Sequence, residues 1–97
     1  MKVEVLYFEG CPHWQTAFDR LATLLRELGF ELRHRCVSTP AEAERLGFTG
    51  SPTIKVDGVD PFAASTMRVG FACRFYHTPE GPAGVPTTQQ LREAICR

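Results

Sequence analysis

The chain has 97 residues, 43% of them apolar and 23% charged, with eleven basic residues against eleven acidic ones. That length suits one domain with one core, and the composition excludes disorder, which needs few large apolar residues and a strong net charge. Balanced charge without a long block of either sign argues against nucleic acid or an anionic membrane surface as partner. No apolar stretch approaches the ~18 residues of a membrane span.

Val3 to Phe8 is rich in β-branched and aromatic residues and, Glu4 apart, continuously apolar. It reads as a strand covered on both faces, ended by Glu9-Gly10. Pro12 supplies the φ favoured at the first helical position. Trp14, Ala17, Phe18, Leu21, Leu24, Leu25 and Leu28 then recur at steps of three and four, the stripe of a helix. Gly29 is its left-handed cap, with Phe30 packing back on it. Glu31 to Cys36 alternates polar and less polar residues, as in a half-buried edge strand. Cys36 shares a face with Leu32 and is expected to pack. Thr39-Pro40-Ala41-Glu42 combines an N-cap, a proline at the first helical position and a capping-box glutamate. A short helix follows and ends near Gly47.

Thr53 to Val56 is a third strand with Asp57-Gly58 as the turn signal at its end. Phe71 to Tyr76 is a fourth, and its alternation places Phe71, Cys73 and Phe75 on one face. The intervening stretch, 59–70, is longer than a tight hairpin needs. His77 to Pro86 holds three prolines and two glycines and reads as a loop. Thr87 with Gln90 makes a second capping box, opening a last helix through Leu91, Ala94 and Ile95. The order strand, helix, strand, helix, strand, strand, helix predicts a parallel pair with a right-handed crossover and an antiparallel pair to close. The expected fold is therefore α/β: an open four-stranded mixed sheet with helices on both faces, in one domain spanning 1–97.

The N-terminus does not read as a signal peptide, because Glu4 and Glu9 interrupt its apolar run. The expected compartment is therefore the cytoplasm, where thiols stay reduced. Four scattered cysteines, Cys11, Cys36, Cys73 and Cys96, include no Cys-x-x-Cys pair. Neither a zinc knuckle nor a dithiol motif is spelled out, and no metal ligand set or cofactor motif is expected.

Cys11 stands where the first strand meets the first helix. Ligands of open α/β sheets gather at the carboxyl ends of strands. A thiol at a helix N-terminus faces unpaired backbone N–H groups and the positive end of the macrodipole, which favour the nucleophilic thiolate. His13, two residues on, would stabilise it further when protonated. Against this, Cys11 can serve as a small N-cap packed on the sheet, and His13 as a solvated first-turn residue.

The element order, the Cys11-Pro12-His13-Trp14 turn and Gly50-Ser51-Pro52-Thr53 before the third strand resemble the thioredoxin superfamily. The resemblance covers nearly the whole chain, with about 59–70 as an insertion between strands three and four. It implies that Pro52 is a cis-proline lying against Cys11, and that the peptide before it docks an extended substrate. Pro12, Trp14, Ser51, Pro52 and Thr53 are then candidate substrate-binding residues. The sequence departs from the superfamily in one respect: Trp14 holds the place of the resolving cysteine, which rules out a disulfide within the turn. Trp14 serves either as part of the helical stripe or as a lid over the thiol. More narrowly, Phe8-Glu9-Gly10-Cys11-Pro12-His13-Trp14, with Val56-Asp57-Gly58 later, is similar to small bacterial thioredoxin-like proteins. Some of these are similar to selenoproteins with selenocysteine at this site, which implies redox use.

A monothiol enzyme needs a second thiol: another cysteine, glutathione or a partner protein. Cys73 is the best internal candidate, with an inert buried thiol as the alternative. The expected function is thiol-disulfide exchange or reduction of an oxidised substrate by Cys11, with Cys11, His13 and Cys73 as catalytic candidates and a thiol or disulfide compound or protein as partner. Two rivals stay open. One is a soft-metal module binding mercury or copper through Cys11 and Cys73. The other is a redox-inactive interaction domain.

Overall fold

The computed structural model describes residues 1–64 and 67–96; Ser65 and Thr66 of the expected insertion, and Arg97, lie outside the described residues. In chain order the elements are β1 (Lys2–Tyr7), α1 (Trp14–Leu28), β2 (Glu31–Cys36), α2 (Pro40–Leu46), β3 (Thr49–Ser51), β4 (Thr53–Val56), β5 (Gly70–Cys73), β6 (Tyr76–Thr78), β7 (Gly81–Ala83) and α3 (Thr88–Ile95). No helix among them is long and apolar enough to cross a membrane.

β1 is the centre of a three-stranded sheet. It pairs in parallel with β2, Val3 opposite Leu32, and antiparallel with β4, Leu6 opposite Thr53. Alternation sends Val3 and Val5 to one face, where Ile54 joins them under Ala17, Leu21 and Leu24 of α1 and Leu91 and Ile95 of α3. Leu6 turns the other way, to Val37, Ala43 of α2 and Phe48. Each fully buried leucine stabilises the fold by about 1.5–3 kcal/mol through area removed from water, which is why the stripe of α1 specifies its docking face.

The helix ends follow local chemistry. Gly29 takes φ 67°, a left-handed cap whose N–H donates to Leu25 O at 2.9 Å. Thr39 Oγ1 accepts from Glu42 N–H at 3.1 Å, but the Glu42 carboxylate reaches past the N-cap to the Ser38 N–H at 2.9 Å. At α3 both halves of the capping box are present between Thr87 and Gln90. The start of α1 departs from expectation. The helix begins at Trp14, with His13 as N-cap, because Pro12 belongs to the turn before it.

Among the described residues the expected four-stranded mixed sheet does not form. The strands divide into three sheets: β2-β1-β4, β3-β5 and β6-β7. β4 starts the anticipated hairpin, since Asp57 and Gly58 take φ 51° and 82° and Val56 and Val59 exchange N–H···O bonds of 2.7 and 3.1 Å. It stops there. Pro61 has no N–H to donate, and the Asp60 carboxylate turns the chain by accepting from Phe62 N–H at 2.9 Å.

The expected strand Phe71–Tyr76 is broken, and its faces are reversed. Phe71, Cys73 and Phe75 are exposed, while Arg74 and Tyr76 are buried at 4% and 4% exposure. Arg74 can go inside because it meets a carboxylate there: its Nη1 lies 2.6 Å from Asp60 Oδ2, and both side chains are under a tenth exposed. The chain therefore splits into β5, which pairs in parallel with β3, and β6, which forms a hairpin with β7 inside the expected loop. Cys36 is also exposed on the edge strand rather than packed.

Candidate functional site

Cys11 ends a tight turn off the carboxyl end of β1. Its N–H donates to Phe8 O at 3.2 Å, and Gly10 takes φ 90°, a conformation that side-chain-bearing residues avoid. The Phe8 N–H in turn meets Ser51 Oγ at 3.4 Å, tying this turn to the segment before β4. The Ser51–Pro52 peptide is cis. Ser51, Pro52 and Thr53 are all buried, and Thr53 Oγ1 folds back to donate to Gly50 O at 2.5 Å.

Tyr76 is held against the cis-proline segment. Its hydroxyl donates to Pro52 O. Burial raises the pKa of this phenol far above its ordinary value; the Arg74 guanidinium opposes the rise, and the negative charges of Asp60 and Cys11 add to it. Tyr76 is thus a proton-bearing donor at neutral pH. Behind it, Arg74 donates from Nη1 to Thr49 Oγ1 at 3.2 Å and from Nη2 to Phe62 O at 2.8 Å, and its guanidinium lies 4.6 Å from the Tyr76 ring centroid. Among the described residues its buried Nε finds no acceptor.

Cys11 is only 6% exposed, so a slender reacting group has access that a bulky one lacks. His13 is held rather than solvated. A methyl group built on Gly84 would fall 2.4 Å from the His13 ring, so the imidazole lies against the backbone of the loop before α3. Its side chain makes no cap hydrogen bond to α1. Pro12 is exposed beside it. Trp14 is no lid over the sulfur: it stacks on Tyr7 with ring centroids 3.9 Å apart and planes 5° from parallel, flanked by Phe18 and His34.

The edge of the cis-proline segment has an internal partner. The Arg74 N–H donates to Ser51 O at 3.1 Å, in the register that sets Cys73 opposite Ser51. β5 thus lies where the resemblance would place an extended substrate. Sequence reasoning missed Tyr76, Arg74 and Asp60. Nothing local pairs an aspartate with an arginine fourteen residues on; the only sign was that Arg74 and Tyr76 share a strand face.

Two cavities lie apart from Cys11. One of about 370 Å³ sits between Lys2, Arg45, Lys55 and Asp57 at the far end of β1. Another of about 300 Å³, between Phe62, Met67 and Phe75, touches the site through Tyr76. Among the described residues no group of three or more His, Cys, Asp or Glu side chains stands close enough to hold a metal ion. Comparison of the chain with protein-family models, with curated proteins and with solved structures gave no match.

Proposed function

We propose that this chain is a thiol-dependent redox protein in which Cys11 is the reacting sulfur, exchanging with a disulfide or reducing an oxidised small substrate. The observation that carries this reading is that the Phe8–Cys11 turn at the carboxyl end of β1 is tied through the Phe8 N–H and Ser51 Oγ to the buried Ser51–Pro52 segment, whose Pro52 carbonyl accepts from the Tyr76 hydroxyl. The resemblance of the Gly10-Cys11-Pro12 and Ser51-Pro52-Thr53 motifs to the thioredoxin superfamily supports it from the sequence. Substrate sulfur approaches along the Cys11 Sγ–S axis. The proton-bearing Tyr76 holds the Pro52 carbonyl, and His13, two residues after Cys11, is braced on Gly84.

Reduction of a small disulfide such as glutathione disulfide, with excess dithiothreitol as electron source, tests it. The wild-type protein accelerates the reaction and Cys11→Ser returns it to the uncatalysed rate, while Cys36→Ser and Cys96→Ser keep the wild-type rate. Unchanged turnover in Cys11→Ser refutes the reading. The burial of Cys11 and the exposure of Phe75 at 70% favour the second reading, a redox-inactive interaction domain. That reading predicts no acceleration by any of these proteins.

A further inference from the structure

We infer that Cys73 is the second thiol of this protein, carried on β5 to form a reversible disulfide with Cys11. The inference rests on Cys11 being the reacting thiol and supplies what a single sulfur lacks. Residues opposite each other in paired strands project to the same face. Ser51 projects towards the Phe8 N–H, 3.4 Å from its Oγ, and Cys73 lies opposite Ser51. Cys73 therefore shares the strand face on which Ser51 meets the Phe8 N–H at the start of the Phe8–Cys11 turn.

Both partners can approach at small cost. β5 is four residues long, its register shifts between the Thr49 and Ser51 pairings, and Phe71, Ala72 and Cys73 are exposed. Short, irregular pairing with exposed side chains marks a segment of low local stability. On the other side Glu9, Gly10 and Pro12 are exposed, and Gly10 takes φ 90° within the turn. A disulfide needs its two Cα atoms within about 7 Å, so closure brings the Cys11 turn and the Cys73 end of β5 to that separation.

The division between one covered and one exposed sulfur sets the order of steps. Cys11 reduces an organic disulfide, R–S–S–R, and one R–S⁻ leaves with a mixed disulfide left on Cys11. The Cys73 thiolate attacks Cys11 Sγ; the Cys11–S–R bond breaks, the Cys11–Cys73 bond forms, and the second R–S⁻ leaves, taking up the proton Cys73 lost. A low-molecular-weight thiol then attacks the exposed Cys73 sulfur, which releases Cys11 as thiolate. A second molecule of that thiol frees Cys73 and departs as the oxidised disulfide. Two electrons pass from the thiol pair to the substrate disulfide.

The test uses Cys36→Ser/Cys96→Ser protein, which keeps only the two thiols in question, and the same protein with Cys73→Ser added. Each is reduced, freed of reductant, treated with glutathione disulfide and quenched by acid for intact-mass and peptide mapping. The proposal expects the first protein to lose two hydrogens and yield a Cys11–Cys73 linked peptide pair. In the Cys73→Ser protein one glutathionyl group stays on Cys11 and is released roughly 100-fold more slowly, because a tethered thiol acts at an effective concentration on the order of millimolar against micromolar free protein. Cys73 is exposed, so the substitution removes no packing. A Cys11 adduct that persists equally in both proteins, with Cys73 free, overturns the proposal and leaves the Cys11 reading intact. Cys11 unmodified in both proteins overturns both.

Discussion

The part of the molecule assembled on β1 and the part made by residues 59–86 are held together by different physics. Around β1 the contacts are apolar: Val3, Val5, Leu21, Leu24, Ile54 and Leu91 are at most 1% exposed. Area burial is non-directional, so any residues of suitable size at the right period produce the same element. Residues 59–86 have a polar centre instead. Arg74 and Asp60 are buried against each other, with hydrogen bonds from the same guanidinium to Thr49 and Phe62 and from Tyr76 to Pro52. A directional pair like this places two side chains and lets the backbone between them take whatever path remains. The first kind of organisation builds the platform, and the second fixes the cis-proline segment beside it.

The largest expected effect comes from removing one member of that pair. Arg74→Ala strands the Asp60 carboxylate inside the protein, which costs about 3–5 kcal/mol. Urea unfolding measures it. Replacing both residues by apolar ones of similar volume, Arg74→Met with Asp60→Leu, should recover much of the loss, because a buried pair and a packed apolar pair are often close in stability. A loss under about 1 kcal/mol for Arg74→Ala, the range of an exposed ion pair, would show that residues 59–86 depend on apolar contacts as the β1 region does.

Tyr76→Phe comes next. It leaves the Pro52 carbonyl without its donor in a buried setting, at a cost of about 1–3 kcal/mol. The pH dependence identifies the group. The folded protein holds the phenol proton more tightly than the unfolded chain does, since burial raises its pKa. Its contribution is complete below the unfolded tyrosine value of about 10 and is lost as pH rises from there towards the higher folded value. Above about pH 10 the unfolded state has fewer bound protons, so stability falls with rising pH. Denaturation midpoints from pH 8 to 11 should therefore bend downward in the wild type and bend less in Tyr76→Phe. Parallel curves would show that the hydroxyl is not the buried donor.

This contrast also explains what was legible in the sequence. The period of Ala17, Leu21 and Leu24, the cap at Gly29, the edge character of β2 and the Thr87–Gln90 box each depend on residues within four positions of one another, and short-range pattern carries them. The break of the fourth strand depends on Asp60 meeting Arg74 across fourteen residues, with Pro61 ending the hairpin. Alternation alone could not tell which face of Phe71–Tyr76 goes inside, and hydrophobicity favoured Phe71, Cys73 and Phe75. The charged face won because it carried its own partner and a hydroxyl for the Pro52 carbonyl. Cys11 and Pro52 were legible because their places at strand ends follow from element order. Tyr76 was not, because its role depends on the reversed face.

The smallest effect tests the locally specified part. Thr87 Oγ1 accepts from the Gln90 N–H at 3.1 Å, and Gln90 Oε1 accepts from the Thr87 N–H at 2.9 Å. Thr87→Ala removes the first of these bonds and leaves the second, so the loss should be about 1 kcal/mol, with Thr87→Ser close to the wild type. Gln90 does more, since its Nε2 also donates to His77 O at 2.7 Å and so ties α3 to the β6–β7 hairpin. Gln90→Ala should therefore cost more than Thr87→Ala and should speed amide exchange in 76–83 as well as in the first turn of α3, whereas Thr87→Ala should speed it in α3 alone. If both variants loosen the hairpin equally, the cap is not a local device and the two parts of the molecule are coupled through α3 rather than through Arg74.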